Sequence, residues 1–353
     1  MRNLLLSVVA AAVALGVTAA AALPGSPRPD VPRLSEISRY SSFKDAALPK
    51  SKALVLPPPT WNFTQTIPTG ETVAIHLSKR YYPASDAVAA QGWAQFFAGL
   101  VHGREVADLD AYFLTSNEVE GICGRQALAC YGGDYLFAPA DDPSINLSAE
   151  AVATHEYGHH VAHHRRNDPW AAIDYGTKRW SSYEQVCMKA RSGRLHPGAE
   201  DEEHYELNPG EGFAEAYRVL NERRAGLVEA PWQIVTQSLY PDAQALSLLE
   251  QDVVTPWTQG TTTAKTGAVN KKSKVKSFVV STPLDGRFRL TLRPAAGERL
   301  SVDVFSPSSR RLAHAAGKKS VSASTTICGE RAVRVRVSRL AGAGAFRLAL
   351  ARP

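Results

Sequence analysis

Between Ser148 and His164 the chain places two histidines one helical turn apart, His155 and His159, with a glutamate, Glu156, directly after the first. On a helix, residues four apart share a face, so both imidazoles can reach one metal ion. Glu156 then falls on the adjacent edge, beside the metal rather than on it. From there a carboxylate can take a proton from a water that the metal has made more acidic. The pattern therefore constrains the fold, because it has meaning only if this stretch is helical. Its flanks agree. Ser148 is a good N-cap and Glu150 favours the positive helix end. Ala149, Ala151, Val152, Ala153, Val161 and Ala162 suit a buried helix, Arg165 and Arg166 suit the negative end, and Asn167-Asp168-Pro169 stops it.

Two donors from one helix leave a metal site incomplete. A third histidine from the HExxHxxGxxH pattern would need Gly at 162 and His at 165, and the chain has Ala162 and Arg165. His163 continues the same helix, and three ligands along one straight helix diverge too far for a tetrahedral site. Asn208-Pro209-Gly210-Glu211 opens a second helix that reaches about Arg224 and stops at Gly226. Glu211 fits two roles there, a capping-box residue or a third ligand that leaves one position open for water. Glu215, one turn on, is placed to hold a ligand histidine. Glu215 itself and Asp174 are the alternative third ligands.

These motifs, His-Glu-Tyr-Gly-His at 155 to 159 and Asn-Pro-Gly-Glu-Gly-Phe-Ala-Glu-Ala-Tyr-Arg at 208 to 218, resemble the zincin metalloproteases of the glutamate-ligand type. The likeness is to the anthrax lethal factor catalytic domain and its relatives. The resemblance implies one Zn²⁺ held by His155, His159 and Glu211, with Glu215 supporting a ligand histidine. It also implies a tyrosine before the ligand glutamate that stabilises the transition state, for which Tyr205 is the nearest match. More loosely, the order of elements over residues 111 to 164 is similar to exported bacterial zinc peptidases. The strand read at Tyr135 to Ala138 either exposes an edge that aligns an extended peptide or is an ordinary core strand.

The predicted fold class is α+β: a zincin-like catalytic domain, with a small mixed sheet and active-site helices, followed by a small all-β sandwich. Within the 353 residues, Met1-Arg2-Asn3 and the small, apolar run to Ala22 read as a signal peptide over residues 1–22. Residues 23–60, rich in Pro and Ser, read as a linker or pro-segment, 61–257 as the metallopeptidase domain, 258–273 as a Thr/Gly-rich linker, and 274–353 as a basic β-sandwich. The last of these resembles, weakly, the bacterial pre-peptidase C-terminal domain. Earlier strands are expected over Thr72 to Tyr82 and Ala111 to Thr115, with a helix over Ala84 to Val101 between them. Four cysteines in an exported chain predict disulfides, Cys123 with Cys130 across a short loop, and Cys187 with Cys328 either paired or free and buried.

Charge divides the chain. Residues 61–255 hold 14 Lys+Arg and 27 Asp+Glu, a net of −13, whereas residues 265–353 hold 19 and 4, a net of +15. Either the two parts dock electrostatically or the basic one draws the protein to anionic cell-envelope polymers. Nucleic acid fits poorly, because few aromatics interleave the basic residues. After the leader no run is long and apolar enough for a membrane span. The expected protein is thus a secreted zinc endopeptidase acting on peptide or protein substrates. The alternatives are a peptidase or amidase acting on cell-wall peptides and an inactive, surface-binding metalloprotein.

Overall fold

The computed structural model describes residues 58–201 and 203–353. The expected signal peptide and nearly all of the 23–60 segment lie outside the described residues. The first lobe is built on a five-stranded sheet of β1 (Thr60–Thr66), β2 (Thr72–Ser78), β3 (Asp110–Leu114), β4 (Cys130–Gly132) and β5 (Tyr135–Pro139), in the order β1-β2-β3-β5-β4. Strands β2, β3 and β5 are parallel, and the outer strands β1 and β4 run antiparallel to their neighbours. The sheet is mixed, as expected. Strand β5 lies inside it, so of the two readings of Tyr135 to Ala138 the core strand holds, and β4 forms the edge.

Helix α1 (Ala87–Gly99), capped by Asp86, turns Phe97 inward, and its Trp93 stacks on Phe113 of β3 at 3.6 Å. Helix α2 (Ser116–Cys123) starts with a capping box between Thr115 and Glu118 that the sequence reading passed over. The Cys123–Cys130 disulfide then ties its end to β4. Helix α3 (Ala149–His163) begins at Ser148, whose side chain accepts from Ala151 N. It is buried on nearly every side: alanine, valine and glycine fill much of it, and Thr154, His155, Glu156, His159 and His160 are the polar residues buried with them. A two-residue hairpin, β6 (Arg166–Asn167) and β7 (Trp170–Ala171), leads into the short helices α4 (Ala172–Tyr175), α5 (Lys178–Tyr183) and α6 (Val186–Arg191). Helix α7 (Pro209–Ala225) is capped by Asn208, carries Pro209 in its first turn and ends on Gly226 at φ 68, the positive φ that glycine adopts without strain. Helix α8 (Ala243–Val254) closes the lobe.

The second lobe is a sandwich of β8 (Thr261–Val269), β9 (Val275–Ser281), β10 (Gly286–Pro294), β11 (Arg299–Phe305), β12 (Arg311–Gly317), β13 (Val321–Ile327), β14 (Ala332–Ala341) and β15 (Gly344–Arg352). One sheet has the order β13-β10-β15-β8 and the other β12-β11-β14-β9. Between them lie Phe288, Leu290, Leu292, Val302, Val304, Val335, Val337, Phe346 and Leu348. This corrects the 258–273 linker: Thr261 to Val269 pairs along its whole length with β15, and only short segments on either side connect. Threonine and alanine suit an edge strand as well as a linker, and the partner strand decides. Strands β12 and β13, made of small and polar residues, give as weak a sequence signal.

The lobes are joined covalently by Cys187–Cys328, from α6 to the turn after β13. Around that bond Asp285 N donates to Ser182 Oγ at 2.9 Å, Arg331 pairs with Asp285 at 2.8 Å, and a guanidinium nitrogen of Arg331 donates to the Ser182 carbonyl. Among the described residues no helix is long and apolar enough to cross a membrane.

Candidate metal centre

The site forms where α3 crosses α7. At Gly158 a Cβ would stand 2.8 Å from Cα of Ala214 and 3.2 Å from its carbonyl oxygen, so the absence of a side chain lets the two backbones meet. That approach brings His155 and His159, which flank Gly158, to Glu211 in the first turn of α7.

Three donor atoms converge there. His155 Nε2 lies 3.2 Å from His159 Nε2 and 3.2 Å from Glu211 Oε2, and His159 Nε2 lies 3.3 Å from the same oxygen. Ligands about 2.0–2.1 Å from a tetrahedral zinc stand about 3.3 Å from one another, so the triangle has the size of one face of such a site. Two imidazole nitrogens and a carboxylate oxygen are also donors that suit zinc. All three residues are buried. Glu211 therefore does not spend its Oε2 on the helix cap. The start of α7 is capped by Asn208, whose side chain accepts from Gly210 N and whose own N–H donates to the Tyr205 carbonyl.

The next layer fixes the first. His155 Nδ1 lies 2.9 Å from Glu215 Oε1, and because an ionised carboxylate only accepts, Nδ1 carries the proton and Nε2 keeps its lone pair towards the triangle. Burial pushes the Glu215 carboxyl up, but the charge of Arg218 and the hydrogen bonds from His155 and Arg218 outweigh it and hold it at about 2. Arg218 grips Glu215 with two nitrogens and reaches Glu222 at 2.6 Å. The sequence reading missed Arg218, although its position one turn after Glu215 was a usable signal.

Glu156, which follows His155 on α3, is fully buried. Tyr205 lies in a short 3₁₀ turn just before α7 and donates to Glu211 Oε2 at 3.1 Å, so its hydroxyl reaches the triangle. Asp174, in α4, is not part of the converging set. A mostly apolar cleft lined by Leu128, Leu147, Val152, Pro231 and Ile234 opens against His155, Glu215 and Arg218.

A second cluster on another face of α3 joins His160, His164 and Asp134, residue types that can also hold a cation. Its protons, however, are already placed. His160 Nε2 donates to the Glu105 carbonyl at 2.7 Å, Tyr131 Oη lies 3.2 Å from His160 Nδ1, and His164 Nε2 lies 2.8 Å from Asp134 Oδ1. Burial pulls the His160 pKa down to about 4, so the ring is neutral and satisfied as a hydrogen-bonding group. With Arg165 paired to Glu105 at 2.8 Å, this network anchors the end of α3 to the turn at residues 104–108.

No family model and no curated protein matches the chain. Among solved structures, a mitogen derived from Yersinia pseudotuberculosis aligns with 27% of this chain and 87% of its own, at 8% identity and a TM-score of 0.22. The SPBc2 prophage-derived protein YomS aligns with 27% and 96%, at 13% identity and a TM-score of 0.21. Likenesses at this level carry no argument about fold or function.

Proposed function

We propose that the chain is an exported, zinc-dependent endopeptidase with a zincin-like catalytic lobe, in which His155, His159 and Glu211 hold the ion and Glu156 is the general base. The observation that carries this reading is the triangle of His155 Nε2, His159 Nε2 and Glu211 Oε2, with every edge between 3.2 and 3.3 Å. When bound, zinc supplies Lewis acidity, which eases deprotonation of water near neutral pH and polarises a carbonyl. Glu156 accepts the proton as the water oxygen adds to the peptide carbonyl carbon, then returns it to the amide nitrogen as the C–N bond breaks. The Tyr205 hydroxyl, held at the triangle, donates towards the charge that develops on the carbonyl oxygen. Glu215 keeps the His155 proton on Nδ1 throughout.

The substrate is an extended peptide. Strand β4, which among the described strands pairs only with β5, offers an edge to align it, and the cleft beside His155 suits an apolar side chain. Export is supported by the two disulfides and by the leader-like first residues. Hydrolysis of an unstructured protein, lost with a chelator and restored by zinc, tests the reading. Glu156→Gln should abolish turnover while retaining the ion. Metal-loaded protein that hydrolyses no member of a broad peptide library, including cell-wall cross-link peptides, would sink it.

A further inference from the structure

Four of the nineteen Lys and Arg residues of 265–353 lie together on one outer face of the second lobe. The outward residues of the sheet β13-β10-β15-β8 follow from its register: Arg287, Arg289, Thr291 and Arg293 on β10, and Ala345, Arg347, Ala349 and Ala351 on β15. They are flanked by Ser322, Ser324 and Thr326 on β13 and by Thr262, Ala264, Thr266 and Ala268 on β8. The face thus presents four arginines among small hydroxyl and methyl side chains, with no carboxylate. Arg293 and Arg347 stand directly opposite each other across the strand pair. Like charges so placed destabilise a sheet, and among the described residues no carboxylate pairs with any of the four.

The other sheet behaves differently. There Asp303 is engaged by His314, Arg311 and Arg336, and Arg334 and Arg336 lie over the Phe305 ring. Nor do these four arginines take part in the hydrogen bonds at the junction with the acidic lobe, which run from Asp285 N and Arg331 to Ser182. Residues 287, 289, 293 and 347 are all exposed. Among the described residues no side chain neutralises this face.

We infer that the β13-β10-β15-β8 face binds a phosphodiester-linked polyanion of the cell envelope, with Arg287, Arg289, Arg293 and Arg347 taking its phosphates. Guanidinium suits the task because it meets phosphate oxygens with two parallel N–H donors. Alternate residues on one strand lie ~6.8 Å apart and neighbouring strands ~4.8 Å apart, so the four charges form a flat grid that a linear polymer can cross. The face carries no aromatic ring on which a base or sugar would stack, which disfavours single-stranded nucleic acid. It also carries no large apolar side chain to enter a bilayer. The inference does not depend on catalysis, and binding can be measured on the inactive Glu156→Gln protein.

The test uses the full chain and three immobilised probes: poly(glycerol phosphate), DNA, and vesicles containing phosphatidylglycerol, with neutral dextran as the blank. Binding to poly(glycerol phosphate) should be the tightest and should weaken steeply with salt. Replacing all four arginines by serine should reduce it at least tenfold and lower the log–log salt slope by about 3. The pair Arg311→Ser and Arg334→Ser, on the opposite sheet, should leave it nearly unchanged. The fourfold variant should melt no lower than the parent and keep its peptide hydrolysis, since among the described residues these side chains make no hydrogen bond or ion pair. Retained binding in the fourfold variant, an equal loss in the opposite-sheet control, or tighter binding to DNA or vesicles would overturn the inference.

Discussion

Replacing Glu215 by Gln keeps the size of the side chain and its ability to accept from His155 Nδ1, but removes the charge that faces Arg218. In the folded protein the Glu215 carboxyl is held at about 2, against an ordinary 4.5. At about 1.4 kcal/mol per pH unit, that difference amounts to about 3 kcal/mol of stability at neutral pH. The group is 5% exposed, so solvent screening takes little away. Because the folded value lies below the unfolded one, the contribution is complete above about pH 4.5, declines as the pH falls towards 2, and is lost below that. Urea unfolding of chelator-treated parent and Glu215→Gln proteins should therefore differ by about 3 kcal/mol at pH 7, and the gap should narrow at pH 4 and again at pH 3. The zinc affinity of the variant should also fall by about ten- to a hundredfold, since a neutral amide accepts from His155 Nδ1 more weakly than a carboxylate and leaves the ring a less basic ligand. A gap below about 1 kcal/mol at pH 7, or one that stays constant from pH 7 to pH 3, would refute the argument that Arg218 and His155 together stabilise a buried carboxylate.

Glu211→Gln should lose zinc on dialysis against a weak chelator, whereas Asp174→Asn should retain it, as read by metal content per chain. Tyr205→Phe should keep the ion and lower kcat by about a hundredfold with little change in KM, the expected cost of removing one donor to a developing oxyanion. Gly158→Ala gains about 1 kcal/mol of helix propensity but forces the α3 and α7 backbones apart, at about 1–3 kcal/mol, so it should lower both the melting temperature and the zinc affinity. Since the Asp134 cluster is complete as a hydrogen-bond network, saturated protein should hold one zinc, and Asp134→Asn should not change that count.

Local chemistry carried much of the outline. Ser148 and Asn208 marked the starts of α3 and α7 because each side chain satisfies a backbone donor that nothing else in the helix can reach. The strands of alternating Val, Leu and Phe in the second lobe were legible for a similar reason, since one face of each must be buried. The failures share a cause as well. Thr261 to Val269 has no alternation to read, and it is a strand only because β15, some eighty residues later in the chain, offers it an edge. Strands β12 and β13 are of the same kind. Thr115-Ser116-Asn117-Glu118 spells the α2 capping box in full, whereas α8 has Asp242 as its cap but Ala245 where a box would need a glutamate.

The site shows the same division between what spacing fixes and what packing fixes. That His155 and His159 share a face follows from four residues of helix. That Glu211 rather than Asp174 lies with them follows from the crossing of two helices, and the sequence carries that crossing only in the small residues Gly158 and Ala214. Tyr205 is the sharper case. Its spacing from Glu211 gave little reason to choose it, yet the 3₁₀ turn ahead of α7 swings its hydroxyl to 3.1 Å from the carboxylate that the histidines also face. Arg218 adds a step that no two-residue motif contains, because it acts on the triangle only through Glu215 and then His155. The buried chain Glu222, Arg218, Glu215, His155 is the means by which α7, the helix that also carries Glu211, sets the tautomer of the histidine opposite it.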